Sequence, residues 1–145
     1  IALMLDYHVI VCDPRDAYGE TWSVEGAELL RLMPDDAVRA YARHPRSVVV
    51  ALTHDTTLDD MALLDALDSE AFYVGALGSK RNSELRRERL AALGITEKQL
   101  QRLHAPVGLA IGSRTAAEIA VSIMAEVTSR RYQAARRAQD TAPAA

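Results

Sequence analysis

The stretch 71-AFYVGALGSKRNSELRRERL-90 decides the fold, because an apolar run, two glycines and a charged segment of helical period follow one another without interruption. Strand, turn and helix in that order make half of a βαβ unit. On residues alone, the junction at Gly78-Ser79-Lys80-Arg81 keeps three readings: a seat for a phosphate-bearing ligand, a docking point for a protein, or a plain turn.

The rest of the chain repeats the unit. The runs HVIVC (8–12), SVVVAL (47–52) and PVGLAI (106–111) join AFYVGAL (71–77) as predicted strands, with AELLRL (27–32) a weaker fifth. Their nearly unbroken apolarity suits strands covered on both faces rather than half-solvated ones. Helical periods are predicted over 35–43, 58–68, 82–93 and 97–102. A last helix opens with the capping box Thr115-Ala-Ala-Glu118 and carries Ala116, Ile119, Ala120, Ile123, Met124 and Val127 on one face, which is expected to pack on the sheet. Alternation of this kind implies an α/β fold: a Rossmann-like open, mostly parallel sheet with helices on both faces. Residues 1–131 are expected to form one domain and 132–145 a disordered tail.

Composition narrows the class of function. The 145 residues are 49% hydrophobic and 26% charged, with 5% aromatic residues, so one domain with a mainly aliphatic core is expected. A net charge of -3 argues against nucleic acid as a partner, and no apolar stretch is long enough to cross a bilayer. A cytoplasmic protein is expected. Cys12 is the single cysteine, which leaves no disulfide framework and no thiol metal cluster.

Open parallel sheets bind ligands outside the carboxyl ends of their strands. The residues there are Asp13-Pro14-Arg15, Thr53-His54-Asp55, Gly78-Ser79-Lys80-Arg81 and Gly112-Ser113-Arg114-Thr115. An acidic residue ending the second strand of a dinucleotide fold accepts from the ribose hydroxyls, and Asp13 stands at such a place. The glycine fingerprint that precedes it by about 20 residues is absent from 1-IALMLDYH-8. Residues 1–5 read as the tail of the helix after that fingerprint, so the first strand and its phosphate loop are expected upstream of Ile1. The alternative is that Asp13-Pro14 starts a turn, with Asp13 bonding its own backbone.

At the opening stretch, Gly75 and Gly78 would let the backbone approach an anion while Asn82 and Ser83 begin a helix whose free amides point back, with Lys80 and Arg81 adding charge. The spacing is not that of a P-loop, and Ser79 lacks the Gly-x-Ser-x-Gly setting of a nucleophile. His54 is the histidine best placed for chemistry, yet no second metal ligand is spaced to join it. His8, His44 and His104 read as structural, and no catalytic residue is assigned. Cys12 reads as a buried small hydrophobe.

The segments 9-VIVCDPR-15, 50-VALTHD-55, 59-DDMALLDALDSEAFYVGALGSKR-81 and 103-LHAPVGLAIGSRTAAEIAVSIMAEV-127 resemble the C-terminal Rossmann-like domain of the XdhC/CoxI family. These are accessory proteins that mature molybdoenzymes of the xanthine dehydrogenase and carbon monoxide dehydrogenase type. The resemblance implies a carrier and not an oxidoreductase. Such a domain binds molybdenum cofactor (molybdopterin), shields it while its sulfido ligand is installed, and hands it to the apo-molybdoenzyme. A cysteine desulfurase is a further implied partner. Positions of motif identity are Gly75, Gly78, Ser79, Lys80, Arg81, His104, Pro106, Gly108, Gly112, Arg114 and Thr115, while Asp13, Arg15, Thr53, His54 and Asp55 come from the rim.

Two other readings stand beside it. One is an NAD(P)-binding oxidoreductase domain, or a domain for another nucleotide, resting on Asp13. The other is an interaction module in which Arg86, Arg87 and Arg89 of the helix 82–93 dock a partner and the glycine loop holds nothing. A homodimer is a further expectation, from the sheet edge that an absent first strand would leave.

Overall fold

The computed structural model describes residues 1–15, 22–53 and 55–140, with side chains as far as residue 133. Five strands are described: β1 (Val9–Cys12), β2 (Ala27–Leu30), β3 (Val48–Ala51), β4 (Tyr73–Ala76) and β5 (Leu103–His104). Every pairing among them is parallel, with Val9 opposite Ala27, Val48 opposite Tyr73, and Val74 opposite Leu103. The helices are α1 (Pro34–Tyr41), α2 (Thr56–Asp68), α3 (Lys80–Ala92), α4 (Glu97–Leu100) and α5 (Ala116–Asp140). Residues 3–5 form a single 3₁₀ turn where the tail of a helix is expected.

The α/β class and the parallel pairing agree with the sequence, and three details differ. The described strands form two sheets, β1-β2 and β3-β4-β5, rather than one. In the doubly wound order 3-2-1-4-5-6, β2-β1 match the flank 3-2 and β3-β4-β5 the flank 4-5-6. Residues 106–111 are not a strand; the last strand is Leu103–His104. Pro106 has no N–H to offer a ladder, Gly108 and Gly112 sit at φ +92° and +79°, and the amides of Gly108 and Leu109 bond to Glu126 Oε2 and the Ser122 carbonyl. Finally, α5 continues to Asp140, past the point where its apolar period fades.

The chain divides into two compact units, Ile1–Val107 and Gly108–Ala145. In the first, one core joins Val38 and Ala42 of the α1 region, Leu63, Ala66 and Leu67 of α2, Ala51, Val74 and Ala76 of the strands, and Leu90, Leu100 and Leu103. The expected aliphatic core is present, and alanine lets α1, α2 and the strands approach closely. Tyr73, 1% exposed, is the largest fully buried side chain among the described residues and stacks on His104 with ring centroids 4.4 Å apart.

Polar groups close the ends of the elements. Pro34 opens α1, whose Arg39 bonds back to Asp35 and Asp36 and across to Asp65 of α2. Asp55 caps α2 by accepting from the amides of Thr57 and Leu58, and Thr96 and Gln99 form a reciprocal capping box on α4. Arg102 donates to the carbonyls of Leu67, Ser69 and Ala71, in the last turn of α2 and the segment that follows it.

In the second unit the expected capping box is present: Thr115 Oγ1 accepts from the Glu118 amide, and Glu118 Oε2 accepts from the amides of Thr115 and Arg114. Those amides hold the Glu118 carboxyl below the usual range. Along α5, Ser122, Ile123, Glu126 and Val127 are buried.

Leu63 and Leu67 are fully buried at the centre of the larger core. Leu63→Ala should lower the free energy of unfolding by about 2–5 kcal/mol, measured as a shift of the urea midpoint at unchanged slope.

Candidate functional site

The register of β3 and β4 places their carboxyl ends side by side. Ala51 faces Ala76, and the Leu77 amide donates to the Ala51 carbonyl at 2.9 Å, carrying the ladder one step further. The two junctions singled out in the sequence, after residue 52 and after residue 77, are therefore neighbours.

At the first junction the Thr53 amide and hydroxyl both donate to Asp59 Oδ1, at 3.2 and 2.8 Å. Asp55 is engaged as the cap of α2, and His54 lies outside the described residues. At the second, Ser79 caps α3, its hydroxyl accepting from the Asn82 amide. The helix begins at Lys80, so the amides of Asn82 and Ser83, expected to be free, are taken by the Ser79 hydroxyl and carbonyl; those of Lys80 and Arg81 are the first-turn amides without a partner inside a helix. Lys80 and Arg81 are exposed, and among the described residues neither makes a hydrogen bond or ion pair.

The remaining arginines of α3 behave differently. Arg86, 4% exposed, donates through Nη2 to Asp59 Oδ2 at 2.7 Å and through Nη1 to the Leu77 carbonyl at 3.0 Å. Its Nε has no hydrogen-bond partner and lies 3.6 Å from Asp60 Oδ1. Arg87 donates to the carbonyls of Leu100 and Leu103, and Arg89 grips Asp60 with two nitrogens. Hydrogen bonding to Asp60 raises the Arg89 guanidinium above its ordinary range. The docking role considered for Arg86, Arg87 and Arg89 is thereby corrected: these side chains clamp the domain's own backbone and carboxylates.

The glycines separate in the same way. Gly75 lies mid-strand and buried, and a Cβ there would fall 2.5 Å from Val107 Cγ2 and 2.9 Å from Tyr73 Cε1. Packing accounts for it. A Cβ on Gly78 would meet only ordinary contacts, 3.6 Å from Asn82 Cβ and 3.9 Å from Ser83 Oγ, so crowding does not require a glycine there. Its φ of +159° is a conformation that L side chains rarely adopt, so the backbone itself calls for glycine.

Asp13 ends β1, in the other sheet. Its Oδ1 accepts from the Arg15 amide and Nε, and its Oδ2 from Arg15 Nη2 at 2.7 Å. This is the turn that the sequence offered as the alternative to a ribose contact. The Arg15 hydrogen bonds hold the Asp13 carboxyl below its usual range. Nearby, burial pushes the Cys12 thiol up, away from a reactive thiolate.

His104 is half-buried against Tyr73, and Pro106 follows it on a cis bond. In the second unit, a Cβ on Gly108 would strike Ser122 Oγ at 2.5 Å, while Gly112 has open space around it and needs glycine for its positive φ. Arg114 and Thr115 give their amides to Glu118. The structure thus joins Thr53, Asp55, Gly78, Ser79, Lys80 and Arg81 at one pair of strand ends. Asp13 and Arg15 lie on the β1-β2 sheet, and the candidates from Gly108 onward belong to the second unit. No three His, Cys, Asp or Glu side chains gather as a metal site among the described residues, and no described helix is long and apolar enough to cross a membrane.

Sequence reasoning missed the pairing of Asp59 with Arg86. The signal was present: Asp59, Leu63 and Ala66 share one face of α2, so the period that buries the leucine buries the carboxylate too, and a buried carboxylate needs a cation.

Parallel strands with a glycine, a helix cap and two uncommitted cations at their carboxyl ends define a Rossmann-type α/β domain. The chain belongs to the XdhC family, whose Rossmann domain matches residues 1–127. It is 38% identical over 83 residues to the molybdenum cofactor insertion chaperone PaoD of Escherichia coli (strain K12), covering 57% of this chain and 26% of that protein. It is 29% identical over 130 residues to a probable xanthine dehydrogenase subunit of Bacillus subtilis (strain 168), covering 89% and 37%. A crystal structure of a xanthine dehydrogenase from Bacillus halodurans superimposes with a TM-score of 0.76 at 29% identity, over 98% of this chain and 40% of that one. The chain therefore spans less than half the length of each of these relatives.

Two outcomes follow. Arg86→Glu should unfold the domain, since stranding a buried charge costs about 3–5 kcal/mol, and circular dichroism would show the loss. The depressed Asp13 carboxyl adds stability that is full above its unfolded value of about 4 and fades as pH falls through the lower folded value. Comparing the parent with Asp13→Asn by denaturant titration should give a difference below about 1 kcal/mol near pH 7, because Arg15 faces solvent, and none at the acid end.

Proposed function

We propose that this domain is part of a maturation factor that binds molybdenum cofactor and delivers it to an enzyme of the xanthine dehydrogenase or carbon monoxide dehydrogenase type. One observation carries the reading: of the five basic side chains on α3 from Lys80 to Arg89, three are consumed internally, and the two left uncommitted stand at the helix start beside Gly78. A terminal phosphate calls for cations and backbone amides, and the uncommitted Lys80 and Arg81 at the start of α3 support such a seat. The family and the names of the relatives supply the chemical identity of the ligand. Bound there, the cofactor would bring the redox chemistry of its eventual client. The chain's own part is to hold the phosphate end, through Ser79, Lys80 and Arg81, with Thr53 and Asp55 beside it.

An NAD(P) site is the weaker reading, because the carboxylate that would take the ribose is gripped by Arg15. The client apoenzyme, a cysteine desulfurase that installs the sulfido ligand, and a second copy of the chain are the partners this role would draw, in the cytoplasm.

Equilibrium binding of molybdenum cofactor to the full-length protein, under anaerobic conditions with NAD as competitor, tests the reading. The Lys80→Ala/Arg81→Ala variant should bind more weakly by about 1–3 kcal/mol at unchanged thermal stability, and NAD should not displace the cofactor. Displacement by NAD, or equal binding by the variant, would overturn it.

A further inference from the structure

The candidate site has two lips, the segments just beyond β3 and β4, and one buried ion pair links them. Thr53, just beyond β3, gives its amide and hydroxyl to Asp59 Oδ1. Leu77, just beyond β4, gives its carbonyl to Arg86 Nη1. Arg86 Nη2 and Asp59 Oδ2 close the circuit at 2.7 Å, with Asp59 2% and Arg86 4% exposed. A buried pair of charges is a poor device for stability, since apolar side chains of similar volume often do as well or better. What apolar side chains lack is the ability to hold two backbone segments at fixed hydrogen-bonding distance. Asp59 spends one oxygen on each side of the circuit, and Arg86 one nitrogen on each.

We propose that Asp59 and Arg86 are positioning residues of the ligand cleft, a single clamp that fixes the Thr53 lip to the Leu77–Ser79 lip so that both meet a ligand as one rigid surface. The inference deepens the cofactor reading, on which it depends for the ligand but not for the coupling of the lips. Arg87 sets the contrast. It is likewise turned inward from α3, but its carbonyls belong to Leu100 and Leu103, outside both lips. Its role ends with stability.

The test uses the full-length protein and two readouts. Thr53→Val removes a donor to Asp59 on the first lip only, and amide hydrogen exchange is followed on the second, at Leu77, Asn82 and Ser83. Exchange there should quicken by about tenfold, within the range of coupling between contacting residues. Unchanged exchange on the second lip would overturn the proposal. In parallel, Arg86→Lys keeps the charge but loses the planar fork that reaches Asp59 and Leu77 together. It should bind molybdenum cofactor about tenfold more weakly, whereas Arg87→Lys, destabilised by a comparable amount, should bind as the parent does. Equal weakening in both would show that stability alone is at work. If the parent binds no cofactor, the functional reading falls and the exchange experiment alone decides the clamp.

Discussion

The pairing of Arg86 with Asp59 sets the terms for the larger unit. α2 and α3 each begin at a strand end, and each would reach the sheet with a charged first or second turn where an apolar one is expected. Burying either charge alone would cost several kcal/mol. Buried together, with Thr53 bonded to Asp59 and the Leu77 carbonyl to Arg86, they convert that liability into a link between two helices and two strands. Arg89 with Asp60, Arg87 with the Leu100 and Leu103 carbonyls, and Arg102 with the end of α2 repeat the device at lesser depth. A core built largely of alanine and leucine is thin, and guanidinium forks reach over distances that short apolar side chains cannot.

How far the sequence could be read depends on how local each signal is. β3, α2, β4 and α3 came through within a few residues because each carries its own period and its own cap: Asp55 before α2 and Ser79 before α3 mark their starts without help from elsewhere. The run 106–111 misled because its apolar composition is that of a strand, while its backbone is governed by Gly108, whose conformation answers to contact with Ser122 of a helix many residues later. The charged face of α3 misled for the same reason. Arg86, Arg87 and Arg89 look like a solvated surface until Asp59, Asp60 and two carbonyls from beyond the helix are brought against them. Nothing within one helix announces that its partners lie on another.

The glycines teach a related lesson about the site. Gly75, Gly78, Gly108 and Gly112 are equivalent as letters, yet one is crowded by Val107 and Tyr73, one by Ser122, and one serves a positive φ in open space. Gly78 is uncrowded but holds a φ of +159° that L side chains rarely adopt, and it is the one beside the uncommitted lysine and arginine.

The same helix thus carries two populations of cation in different dielectric surroundings. Dissolved salt, with a screening length of about 8 Å at physiological ionic strength, reaches Lys80 and Arg81 but has little purchase on the sealed Arg86. Exposed and sealed cations therefore answer to different surroundings: a rise in ionic strength screens Lys80 and Arg81 while the frame built on Arg86 stays intact. On the proposed carrier role, that separation means a load could be surrendered to a more electropositive receiver without any part of the carrier having to unfold.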